Sequence, residues 1–125
     1  MSNELLKEAG ALLVEHVYNM TIAETIDAIR EKMKDRESTE FAQSFAGFSE
    51  EERLAVEAVV PKVAELALHN LLSLLEEEQE SEGGLRLVLN RAEGMVDLAE
   101  TSDGLAGELY GARGWMSLFG DVSGG

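Results

Sequence analysis

The chain has 125 residues, 45% of them apolar, and sets 25 acidic side chains against 10 basic ones for a net charge of −15. That length suits a single domain, 1–125, with one core, and the apolar share is too high for a disordered tail. The charge is even, with 13 acids and 6 bases over residues 1–60 and 12 and 4 over the remainder; such a surface repels phosphate backbones and anionic lipid heads, so no nucleic acid and no membrane is expected as a partner.

Cysteine is absent, which removes disulfides, thiolate nucleophiles and cysteine metal sites. No uninterrupted apolar run approaches the roughly 18 residues of a membrane span. The opening "MSNELLKEAG" places acid ahead of its apolar residues and does not read as a signal peptide. A cytoplasmic protein without cofactors is the expectation.

The pattern is helical nearly throughout. Leu5, Leu6, Ala9, Leu12, Leu13, His16, Val17 and Met20 form one stripe of a first helix. Thr21, with Glu24 three residues on, reads as a capping box that starts a second helix bearing Ile22, Ile26, Ile29 and Met33. After the polar stretch "KMKDREST", Phe41, Phe45 and Phe48 suit a short helix that begins at Ser38 or Thr39 and ends at Gly47. "SEEE" at 49–52 is the clearest start signal, with Ser49 as cap and Glu52 at the third helical position. The helix it opens reaches Glu78, with a kink or a junction of two helices expected at Pro61. From Leu66 to Leu75 that helix is apolar on almost every side, which predicts a central position for 62–78.

Beyond the charged loop "EEEQESEGG", Leu85, Val88, Leu89, Ala92, Met95, Val96 and Ala99 predict a further helix; "LRLVLN" alternates like a strand, but the longer period outweighs it. Near the end, Ser102 caps a short helix with Leu105 and Leu109. Gly111 and Gly114 then allow turns, and a last short helix presents Trp115, Leu118 and Phe119 before Gly120. The glycines of this segment fit neither the P-loop nor the dinucleotide pattern, because no Gly-Lys and no G-x-G-x-x-G occurs. They read instead as turns that fold an aromatic anchor onto the core, with Tyr110, Arg113 and Trp115 as the residues that would serve an exposed binding patch.

Few residues carry chemistry. His16 and Asn70 each sit mid-stripe and are expected as a hydrogen-bonded core pair, since buried polar groups find partners. His69, with Glu65 and Ser73 four residues to either side, forms a surface cluster without an oxyanion hole or a strained turn. Neither histidine follows a glutamate at the Glu-x-x-His spacing of di-iron bundles. Glu76, Glu77 and Glu80 read E-E-x-x-E, and Glu93 and Asp97 follow. This resembles the magnesium-binding signature of the all-α nucleotide pyrophosphatases, although Glu93 and Asp97 stand one residue wider than that family's E-x-x-D. The resemblance implies a magnesium-dependent hydrolase on a helical bundle; five acids from Glu76 to Glu82 equally suit a solvated helix end.

The expected architecture is all-α: a compact irregular bundle of four main helices and two or three short ones around 62–78. The expected function is non-enzymatic protein–protein interaction with a basic partner, as in an immunity protein, inhibitor or adaptor. The alternatives are the magnesium pyrophosphatase and a structural homo-oligomer built through the phenylalanine or tryptophan faces.

Overall fold

The computed structural model describes residues 2–30 and 36–121. The chain is mostly helical, 68% against 7% strand, so the helical expectation holds for the bulk of the molecule and fails at one small sheet.

Helix α1 (Ser2–Leu13) passes through a π-helical segment (Val14–Asn19) into α2 (Met20–Ile29) without a break. Thr21 is therefore not a cap: Asn19 and Met20 both have ordinary helical backbone angles. The π turn, with i→i+5 spacing, admits an extra residue and rotates the buried stripe. Leu5, Leu6, Ala9, Val14 and Tyr18 face inward, while His16, Val17 and Met20 are turned out to solvent.

Helix α3 (Arg36–Gln43) ends four residues before Gly47, and the chain leaves it through turns. Met33 and the start of the polar stretch lie outside the described residues. The three phenylalanines stack edge to face, Phe41 on Phe45 at 5.2 Å and Phe45 on Phe48 at 5.5 Å between ring centres.

Helix α4 (Glu50–Gln79) opens on the expected capping box: Glu52 N donates to Ser49 Oγ at 3.1 Å, and Ser49 N donates to Glu52 Oε1 at 2.9 Å. It runs for 30 residues with Pro61 inside it, one helix rather than two. Beyond it Gly83 takes a left-handed φ of 69°, a conformation that costs other residues a clash of Cβ with backbone.

The predicted helix over 85–99 is a correction. Strands β1 (Val88–Arg91) and β2 (Gly94–Asp97) pair antiparallel, with Leu89 opposite Val96 and Arg91 opposite Gly94. Gly94 at φ 146° turns the chain in a way a helix cannot hold. Met95, assigned to a buried helical stripe, is 69% exposed. The alternation in "LRLVLN" is the signal that prevails, because a two-residue loop closes it into a hairpin.

Helix α5 (Leu98–Thr101) is capped by the Asp97 carboxylate, which accepts from Glu100 N at 3.3 Å. A 3-10 turn (Ala106–Leu109) and α6 (Trp115–Phe119) complete the chain. Ser102, expected as a helix cap, instead binds Gly104 N and donates to Glu108 Oε2. The core lies where α1, the π segment, α4 and the 96–115 segment meet: Leu6, Val14, Leu68, Leu72, Leu98, Leu105, Leu109 and Trp115 share it. Gly10 makes one close approach possible, since a Cβ there would fall on the Trp115 ring.

Candidate functional site

Helix α4 has two unlike sides. At about 100° per residue, Ala64, Leu68, Leu72 and Leu75 fall on one side and are buried in the core. On the other side Val56, Val59, Val63, Leu66, Ala67, Asn70 and Leu74 lie within about 60° of Val63. Val59 is 56% exposed, Val63 58%, Leu66 45% and Leu74 42%. Leu71, expected at the heart of the all-round apolar run, sits at the edge of this open stripe. The helix expected to be central is covered on one side only.

Between Glu52 and Glu77 the stripe carries no charged side chain. It is about 37 Å long from one of these glutamates to the other, by the helical rise. Hydrogen bonds from Ser49 hold the Glu52 carboxyl below its usual range, so it stays ionised. Helix α4 as a whole is long and apolar enough to cross a membrane, by length and composition only. No uninterrupted apolar run of that length occurs in it: Lys62, Glu65, His69 and Asn70 break the sequence of apolar residues.

Helices α2 and α3 form a lip along the first half of this face. Thr21, Thr25, Phe41 and Phe45 line, with Val59 and Val63, an apolar groove of about 340 Å³. An ion pair holds the lip in place. Arg30, just past the end of α2, donates from Nε to Glu57 Oε2 at 2.6 Å, from Nη2 to Glu57 Oε1 at 2.9 Å and from Nη2 to Glu50 Oε1 at 3.0 Å. Those hydrogen bonds, Glu57 first and Glu50 second, push the guanidinium further from deprotonation. Glu57 is the one buried charged residue among those described, and this fork satisfies it.

The sequence-predicted residues fall in different places. His16 and Asn70 are both exposed and do not form a core pair; the π segment turned His16 outward, and Asn70 lies on the open stripe. His69, Glu65 and Ser73 do meet, joined by Tyr110 from the C-terminal segment. The Tyr110 hydroxyl is 3.3 Å from Glu65 Oε2 and 3.3 Å from His69 Nδ1, and Ser73 Oγ is 3.4 Å from His69 Nε2. Burial first, and Glu65 second, raises the Tyr110 phenol above its usual range. These bonds latch the C-terminal segment to α4.

The acids divide between elements. Glu76 Oε1 accepts from Ala106 N, Glu77 and Glu80 are exposed, Glu93 sits in the hairpin loop, and Asp97 caps α5. They do not face each other from two helices, and no group of three or more metal-ligating side chains occurs among the described residues. Trp115 is buried, 3% exposed, while Arg113 and Tyr110 are exposed.

No protein-family model, no curated protein and no solved structure matches this chain.

Proposed function

We propose that this is a non-enzymatic interaction protein, a small acidic helical bundle that works in the cytoplasm as an inhibitor or adaptor and docks the open face of α4 against a basic partner. One observation carries the reading: a charge-free apolar stripe closed at each end by a glutamate on the same helical face. Exposed contiguous apolar surface of this kind marks interaction sites. Its shape suits an amphipathic helix laid along the groove between α4 and the α2–α3 lip.

The charges favour a different protein over a second copy. Two α4 faces packed antiparallel about their midpoint would set Glu52 against Glu77, and packed parallel would set each glutamate against itself. Like charges so placed oppose association. A partner helix with lysine or arginine near both ends would meet Glu52 and Glu77 with opposite sign. Asn70, inside the apolar seam and nearer its Glu77 end, asks for a hydrogen-bonding group from the partner and so fixes its register.

The test is calorimetric titration with a synthetic amphipathic helix that carries leucines at helical spacing and lysines at each end. Saturable binding is expected, and Val63→Lys should weaken it by at least about tenfold while leaving the circular dichroism unchanged, because charge repulsion and lost apolar contact act together. Equal binding by the variant overturns the reading. Two other results also overturn it: a concentration-dependent dimer that Val63→Lys abolishes, which makes the face a self-association surface, and binding to neutral lipid vesicles in place of the peptide.

A further inference from the structure

Eight of the described side chains are lysine or arginine, and six of them have a carboxylate within 4.0 Å. Lys7 and Arg113 have none among the described residues. In a chain with 25 acidic residues, cations ordinarily find partners. These two come from opposite ends of the sequence and line the same cleft, of about 430 Å³. Its other walls include Asn3, Leu6 and Trp115. It shares no residue with the α4 face.

The cleft has a fixed floor. Trp115 packs against α1 at Gly10, where no side chain would fit, and Leu6 beside it is buried. Glu108 also lines the cleft, but its Oε2 is engaged by the Ser102 hydroxyl at 2.6 Å. It reduces the local positive charge without pairing either cation.

We infer that this cleft is a binding site for a small organic anion, with a carboxylate or phosphate group held by Lys7 and Arg113 and an apolar or aromatic body against Leu6 and Trp115. Arginine presents its donors as a planar fork that matches either oxyanion, and lysine adds a movable point charge. Asn3 offers a further amide for the polar end of the ligand. The volume lies within the usual range for small-molecule clefts, roughly 300–1,000 Å³. Salt screens the acidic surface beyond about 8 Å in physiological buffer, so an anion is opposed only by nearby carboxylates, and Glu108 is the one in the cleft lining.

Trp115 is the single tryptophan, so its fluorescence reports the cleft directly. The intact protein is titrated with phenyl phosphate and with benzoate, which separate the phosphate from the carboxylate, and with neutral benzyl alcohol. A saturable change with at least one of the two anions and none with benzyl alcohol is expected. Lys7→Gln and Arg113→Gln should each weaken it about tenfold, in line with loss of one charge-assisted hydrogen bond, and the double variant should abolish it. Both side chains are exposed, so unchanged circular dichroism will certify the fold of each variant. An equal response in the double variant, or no saturable response to either anion, overturns the assignment. Inorganic phosphate competing as well as phenyl phosphate overturns the role given to the apolar wall.

Discussion

The two sides of α4 are built from the same kinds of residue and behave as different materials. Leu68, Leu72 and Leu75 are enclosed on the side where α4 meets the π segment, α5 and the 3-10 turn, whereas Val59, Val63, Leu66 and Leu74 look outward. Composition does not separate these sets; the neighbours do. Where the π segment and the 96–115 segment close over the helix, its leucines contribute to stability. Where only the α2–α3 lip reaches, they stay exposed.

The largest difference between the sides should appear on truncation. Leu72 is 0% exposed, and Leu72→Ala should cost about 2–5 kcal/mol, the range for a buried leucine that leaves a cavity. Leu66→Ala, on the open side, should cost less than about 0.5 kcal/mol, as surface changes do. Urea denaturation of the two variants measures both. Equal losses would mean that the open side is covered in solution, and a dimer would then be the first explanation to test.

A smaller effect tests how the enclosed side is closed. Gly10 lets Trp115 lie on α1. Gly10→Ala improves helix propensity by about 1 kcal/mol but drives a methyl group into the indole. The net should be a loss of roughly 1–3 kcal/mol, typical of overpacking, with Trp115 emission moved to the red as the ring is displaced. A gain in stability would show that Trp115 yields easily and that the enclosed side is looser than its burial implies.

What the sequence disclosed follows the same division between local and non-local causes. The capping box at Ser49 and Glu52 is a contact between residues three apart, so its residues suffice to predict it. Trp115 as an anchor was legible because a large ring on a short element has little else to do than bury itself. The π segment was not legible, since no residue of "VEHVYN" demands i→i+5 spacing, and it displaced both Thr21 as a cap and His16 as a core residue. In the hairpin, alternation competed with a helical period, and Gly94 decided between them. Periodicity also cannot tell a helix apolar all round and buried from one apolar all round and covered on one side only; Leu66 and Leu71 fell to that ambiguity. Arg113 was visible as a lone cation, but its convergence with Lys7 exists only in the folded chain.

The smallest predicted effect compares the two tyrosines. Tyr18 is buried beside α4 and Tyr110 stands at its edge, and both phenols are raised above the ordinary 10.0, by burial first and by Glu65 second. A raised folded-state value means the native protein holds its proton where the unfolded chain has lost it. The associated stability is complete below pH 10 and falls as pH rises through the folded-state value. Chemical denaturation of the wild type and of Tyr18→Phe, from pH 8 to about pH 11, isolates the contribution of Tyr18, because all other titrating groups are shared. The gap between the two proteins should be constant up to about pH 10 and then shift against the wild type. Tyr110→Phe should show a weaker version, since water reaches its ring. A gap for Tyr18 that stays constant across the whole range would mean that its phenol is as well hydrated in the folded protein as in the unfolded chain, and the enclosed side of α4 would then be open to solvent near the π segment.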